Sequence, residues 1–290
     1  MVNPVPFADN RIRTGLWMKR SIQVKRKSII LPSSDMTTLC PQERNMDDFF
    51  PQRIDQENCL VVRCHDAAEY CLALVDIFQV RELLAQNERL LLARLSPEER
   101  QYTGRFRFAR RYHEWLSGRL AAKAAMLRTA DGIAAQYAAD EITILADEHG
   151  RPCCTVPDGS RISQLSISHS RRYAVAMAAE KECGVDIQRI EPRIGRVGDR
   201  ICSREELHLA GQVLAGSLEE ALTLIWSGKE ALKKCSLHDR PGLFEAIIVE
   251  KIEVLPGQCW NMQCRLVGNI QQKEVSVVML NDYMLAWCGG

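Results

Sequence analysis

Apolar and polar positions divide this sequence unevenly. Residues 1–58 show little apolar periodicity, hold Pro4, Pro6, Pro32, Pro41 and Pro51, and carry a basic run from Lys19-Arg20 to Lys25-Arg26-Lys27. That composition predicts a loosely ordered N-terminal extension with the basic run as a solvated tail. From Leu60 the pattern tightens. Leu60-Val61-Val62-Arg63-Cys64 reads as a strand, and Val80 to Leu95 carries Leu and Ala at helical spacing. Ser96-Pro97-Glu98-Glu99 is a helix start, with serine as the cap, proline in the first turn and glutamate at the third position, opening a helix towards Phe108. A further helix over Arg111 to Arg128 places Trp115, Leu116, Leu120, Ala124 and Leu127 on one side. Glu141 to Leu145 alternates as a strand into the turn Asp147-Glu148-His149-Gly150, and Leu165 to Ser168 and Tyr173 to Ala179 read as strands around Ser170-Arg171-Arg172.

The second half repeats the theme. Gly184-Val185-Asp186-Ile187 is a short strand, Ser203-Arg204-Glu205-Glu206 a second capping box opening a helix towards Leu214, and Leu218 to Lys234 a long helix. Ile247–Leu255, Trp260–Val267, Glu274–Leu280 and Tyr283–Cys288 then read as antiparallel strands. Helices and an antiparallel sheet in each half predict an α+β fold.

Composition narrows the function classes. A chain of 290 residues suits one large domain or two modest ones. Lys plus Arg number 38 against 37 Asp plus Glu, so the net charge of +1 demands neither nucleic acid nor an anionic membrane. No apolar run reaches the ~18 residues of a spanning helix, and no secretion signal stands at the N-terminus. The 12 cysteines form no CxxC pair and no zinc spacing with histidine. They read as small buried hydrophobes of a reduced, cytoplasmic protein.

Three clusters could carry chemistry: Ser166-Ile167-Ser168-His169-Ser170 at a strand end, Gly184-Val185-Asp186-Ile187-Gln188 on a strand, and Trp226-Ser227-Gly228-Lys229-Glu230-Ala231-Leu232-Lys233-Lys234 in a helix. Singly, each has an ordinary explanation: a packed imidazole, a paired carboxylate, a helix-surface ion pair. Together they hold what a hard cation and a diphosphate require, namely an aspartate on a strand, a glutamate on a helix, a histidine and lysines.

The order SxSHS, GVDI, WxxKEAxxK resembles the signature of the 4'-phosphopantetheinyl transferase superfamily, and the intervals between His169, Asp186 and Glu230 resemble its surfactin-synthetase-activating branch. Phe106 to Leu120 resembles that branch's N-terminal helices, and Gly150-Arg151-Pro152 resembles its G-K-P turn with arginine for lysine. The resemblance spans roughly Leu60 to Cys288. It implies a pseudo-two-fold tandem of two α+β modules, residues 59–180 and 181–290, with coenzyme A in the cleft between them. It further implies that Asp186 and Glu230 bind Mg2+, that Glu230 is the general base, and that Lys234 contacts the diphosphate and stabilises the leaving group. Ser168 and His169 would hold the nucleotide phosphates, Arg151 the adenine and phosphate end, and Arg100, Arg105 and Arg110 the 3'-phosphate. Where the family often has a third metal-binding carboxylate this chain has Gln188, a neutral and weaker ligand. The partner would be an apo acyl or peptidyl carrier protein, an acidic helical domain facing Arg189, Arg193, Arg196 and Arg200. A monomer would form a complete site. Two other readings follow from the same residues: a non-catalytic relative that binds the carrier or coenzyme A, consistent with Gln188, and a metal-dependent nuclease or phosphatase, for which no third carboxylate has a clear place.

Overall fold

Strands buried on both faces carry continuous apolar runs, and this chain uses several of them to join two halves. The structure is a computed structural model that describes residues 45–50, 52–55, 60–129, 136–159, 164–214, 216–237, 243–268 and 271–289. The first half runs α1 (Met46–Phe49), β1 (Gln52–Asp55), β2 (Leu60–Asp66), β3 (Tyr70–Asp76), α2 (Ile77–Leu92), α3 (Pro97–Thr103), α4 (Ala109–Met126), β4 (Thr143–Ala146), β5 (Pro152–Thr155), β6 (Gln164–Ser170) and β7 (Tyr173–Ala179). The second runs β8 (Cys183–Arg189), a 3-10 segment (Pro192–Arg200), α5 (Arg204–Val213), α6 (Leu218–Ser236), α7 (Leu243–Ala246), β9 (Ile247–Leu255), β10 (Cys259–Leu266), β11 (Gln272–Leu280) and β12 (Tyr283–Gly289).

Two five-stranded sheets result, ordered β1-β2-β3-β7-β6 and β8-β12-β11-β10-β9, with β4 and β5 as a separate hairpin. All their pairings are antiparallel. Each sheet carries a long helix on one face. Leu116, Leu120, Ala121 and Ala125 of α4 pack with Cys71, Ala73 and Val75 of β3 and Ala176 and Ala178 of β7. Leu224, Ile225, Ala231 and Leu232 of α6 pack with Met262, Val275, Val277, Met284 and Ala286. Period-2 alternation turns the intervening strand residues the other way. Leu72, Leu74, Val175 and Met177 of the first sheet thereby meet Val185, Ile187, Val278, Leu280 and Leu285 of the second in a third cluster between the sheets. The order is helix, sheet, sheet, helix, and the α+β expectation holds.

The expected extension reaches less far than residue 58. Met46, Phe49 and Phe50 are buried in the cluster between the sheets, because three large apolar side chains in five positions repay ordering of the backbone. Residues 1–44, including the basic run, lie outside the described residues. The helix expected from Ser96 to Phe108 ends at Thr103, and Phe108 is the extended N-cap of α4, so the second helix begins earlier than its apolar spacing suggested.

One device occurs in both halves. Ser96 caps α3 while Glu99 reaches back to the Ser96 N–H at 2.8 Å. The same Glu99 accepts from the Ile144 N–H at 3.1 Å and pairs with the buried Lys123 at 2.7 Å. In the second half Ser203 caps α5 and Glu206 reaches the Ser203 N–H at 2.8 Å. Glu206 then accepts from the Val249 N–H at 2.8 Å and pairs with the buried Lys229 at 2.7 Å. Each glutamate thus ties a helix start, a strand and the long helix through one desolvated carboxylate, and the surplus lysine N–H groups go to backbone carbonyls of Ala139 and Ile201. The same tie of cap, strand and long helix thus occurs twice in the chain.

Candidate functional site

β8 and α6 bring the charged groups together because they lie in direct backbone contact. A Cβ at Gly184 would stand 2.0 Å from the Ala231 carbonyl oxygen and 2.7 Å from the Cys235 amide nitrogen, so only glycine allows the approach. Two residues on, Asp186 is 2% exposed. Its Oδ1 accepts from Ser168 Oγ at 2.7 Å and from Lys234 Nζ at 2.7 Å, and its Oδ2 accepts from Gln188 Nε2 at 3.1 Å. Lys234 also donates to the Val185 carbonyl at 2.9 Å. Glu230 lies one turn before Lys234 on the same face of α6. Burial raises its carboxyl pKa above the usual range, the Asp186 charge raises it further, and Lys234 and Lys233 pull it back.

A cleft of about 540 Å³ opens beside these groups, lined among others by Arg151, Ser166, Glu230, Lys233 and Lys234. Arg151 arrives on the β4–β5 hairpin, where Asp147 Oδ1 accepts the N–H groups of His149 and Arg151 at 2.9 Å each and Gly150 takes φ +82°. His169 keeps an exposed edge on β6. Burial of the rest of the ring lowers its pKa, Glu114 opposes that, and Lys234 and Arg111 add to it.

The expected site residues therefore separate into two groups. Asp186, Glu230, Lys234, Ser168, His169 and Arg151 gather at the seam between the halves. Arg100, Arg105 and Arg110 do not line that cleft: Arg100 donates to the Leu92 carbonyl, Arg105 lies over the Tyr102 ring at 4.9 Å, and Arg110 pairs with Glu114 at 2.8 Å. Arg110 instead helps line a second cleft, of about 750 Å³, with Arg81, Arg171, Arg172 and Arg189. Glu114 is a seam residue the sequence did not mark, and Ser166 and Ser170, named in the SxSHS cluster, had no role of their own assigned there. The strict serine alternation at 166, 168 and 170 was the available signal for the last two.

The donor set suits a hard divalent ion. Glu230 lines the cleft, the Asp186 carboxylate lies buried behind Lys234, and Gln188 adds an amide whose nitrogen is turned to Asp186. One or two carboxylates with water and phosphate is how Mg2+ is commonly held. Among the described residues no group of three or more His, Cys, Asp or Glu side chains could hold a metal by itself.

Fold and site thus define an α+β protein of two five-stranded sheets whose ionisable groups converge where the sheets meet. The 4'-phosphopantetheinyl transferase superfamily matches residues 182–288, the stretch that carries Asp186, Glu230 and Lys234. A holo-[acyl-carrier-protein] synthase of Geobacillus kaustophilus is 35% identical over 112 residues, 38% of this chain and 86% of that one. The 4'-phosphopantetheinyl transferase Sfp of Bacillus subtilis is 25% identical over 169 residues, 56% of this chain and 69% of that one. A solved holo-(acyl-carrier-protein) synthase from Bacillus anthracis is 26% identical with a TM-score of 0.33, over 38% of this chain and 93% of that one. The chain belongs to the 4'-phosphopantetheinyl transferase superfamily.

Proposed function

We propose that this chain transfers the 4'-phosphopantetheine group of coenzyme A to a serine of an apo carrier protein, giving holo carrier protein and adenosine 3',5'-bisphosphate. One observation carries the reading. Inside the segment matched by the superfamily, Glu230 and Lys234, one helical turn apart, line a cleft between the halves, and Lys234 pairs with the buried Asp186 behind them at 2.7 Å.

The chemistry follows from those groups. Lys234, Lys233 and Arg151 offer cationic charge to the diphosphate and the nucleotide. Glu230 takes the proton from the serine hydroxyl as its oxygen bonds to the phosphorus that carries the pantetheine arm. The bond from that phosphorus to the nucleotide's phosphate oxygen breaks, and Lys234 stabilises the charge left there. Asp186 and Glu230, with Gln188 as a neutral third donor, would hold Mg2+. When bound it supplies Lewis acidity at the diphosphate.

The carrier would approach from the C-terminal end of β8. There Arg189 and the exposed Arg193, Arg196 and Arg200 continue the arginine-lined second cleft, a surface complementary to an acidic domain. Both halves of the site come from one chain, which supports action as a monomer. The ten described cysteines stand outside any disulfide, which supports a reducing, cytoplasmic setting. No described helix is long and apolar enough to cross a membrane.

The test is incubation of the chain with coenzyme A, Mg2+ and a panel of apo acyl and peptidyl carriers, read by intact mass. One carrier or more should gain a single phosphopantetheine arm. Carriers of unchanged mass throughout, with a relative of proven activity as the positive control, overturn the proposal.

A further inference from the structure

Three serines at alternate positions of β6 share one face, and each is buried, at 3%, 7% and 8% exposure for Ser166, Ser168 and Ser170. Their hydroxyls face the edge of β8 that does not pair with β12. Ser166 Oγ accepts from the Val185 N–H at 3.0 Å, Ser168 Oγ from the Ile187 N–H at 3.3 Å, and Ser170 Oγ from the Arg189 N–H at 3.1 Å. The two sheets are joined here by side-chain rungs where a continuous sheet would have carbonyl groups. Without the rungs two buried N–H groups of β8 and a part-buried third would lose their acceptors.

The middle rung does more. Ser168 donates its hydroxyl proton to Asp186 Oδ1 at 2.7 Å while accepting from Ile187, and Lys234 donates to the same Oδ1 at 2.7 Å. A hydroxyl has one proton. Given to Asp186, it is not available to a phosphate. Oδ2 is left with a single neutral donor, Gln188 Nε2. The first half of the chain therefore fixes the rotation of the key carboxylate of the second half.

We propose that Ser168 is a positioning residue for Asp186: its hydroxyl, pinned by the Ile187 N–H, saturates Oδ1 and leaves Oδ2 as the oxygen presented to a divalent cation. This rests on the reading of Asp186 as a metal ligand, and it gives Ser168 a role different from the phosphate contact expected from the sequence. Groups that orient a ligating side chain commonly contribute 10- to 100-fold to metal affinity.

The experiment is titration of the full chain with Mn2+ alone, read by loss of the free-ion electron paramagnetic resonance signal, beside thermal unfolding and the KM for coenzyme A. Ser168→Ala should raise the Mn2+ Kd by about 10- to 100-fold, with a KM for coenzyme A that rises at limiting metal and recovers at saturating metal. Ser168→Thr keeps the hydroxyl and should retain most of the affinity. Ser170→Ala strips one rung without touching Asp186, so it should lower Tm as Ser168→Ala does while binding Mn2+ like the parent. Ser168→Ala binding Mn2+ as tightly as the parent overturns the proposal, and so does Ser170→Ala weakening Mn2+ as much as Ser168→Ala. A parent chain that binds Mn2+ yet modifies no carrier overturns the transferase reading and leaves this one standing.

Discussion

Glu230 carries a cost in the folded protein that its proposed role explains. Its pKa is raised by burial and by the Asp186 charge, so ionising it works against the fold. The sign follows from proton counts. Between the ordinary carboxylate pKa and the raised folded value, the folded state binds more protons than the unfolded, so stability falls as pH rises through that window. Above it, Glu230→Gln should therefore have a higher Tm than the parent in metal-free buffer at neutral pH, although transfer is abolished. Addition of Mg2+ should raise the parent's Tm more than the variant's, because the ion relieves a repulsion that the amide lacks. Differential scanning calorimetry with and without Mg2+ reads both effects, and a variant less stable than the parent at neutral pH would remove Glu230 from beside Asp186. The candidate residues themselves were legible in the sequence, since two of the three ordered motifs carry Asp186, Glu230 and Lys234. The use of Ser168 was not, because its partner lies 18 positions away across the junction of two sheets. Nor was the placement of Arg100, Arg105 and Arg110, whose long side chains go to a carbonyl, a ring and a carboxylate that no local pattern reveals.

Elements were legible where caps and periods are local. Both capping boxes and the long amphipathic helices follow from their sequence signatures, and so do the four C-terminal strands. What local patterns omit is the second use of each capping glutamate, since the Val249 N–H lies 43 positions from Glu206 and the Ile144 N–H 45 from Glu99. Strand β5 was also missed, because Pro152-Cys153-Cys154-Thr155 alternates weakly and is held by its partner β4. The buried pair gives a prediction at this scale. Lys229 is fully buried, so Lys229→Met leaves the Glu206 carboxylate desolvated with only backbone donors. That should cost about 3–5 kcal/mol of unfolding free energy. Breaking the exposed Arg265–Glu250 pair with Arg265→Met should cost about 1 kcal/mol or less. Urea titrations of both variants check the contrast, and equal losses would show that the Glu206–Lys229 tie does not organise the start of α5.

At the scale of the molecule, the halves do more than face each other across a cleft. They share the core between the sheets and the serine rungs, so the seam that holds the ionisable groups is also a structural joint. Its two ends differ in character. One end is the cleft of Arg151, Lys233 and Lys234, and the other is the larger cleft of Arg81, Arg110, Arg171, Arg172 and Arg189 at the C-terminal end of β8. Four of those arginines are held by carboxylates: Arg110 by Glu114, Arg171 by Glu191, Arg172 by Asp76 and Arg189 by Asp282. Arg81 makes no ion pair among the described residues and lies over the exposed Phe78 ring at 5.3 Å. An anionic partner could therefore engage Arg81 without first breaking a pair, and Phe78 beside it offers an apolar anchor. If the carrier docks at this end, Arg81→Glu should raise the KM for the carrier severalfold, chiefly through slower association, with KM for coenzyme A and Tm unchanged. The parent's carrier KM should rise with salt more steeply than the variant's, because the lost contact is the screened one. Steady-state kinetics at two ionic strengths decide the matter. A variant with an unaltered carrier KM at low salt would move docking away from Arg81, to the surface around Arg193, Arg196 and Arg200.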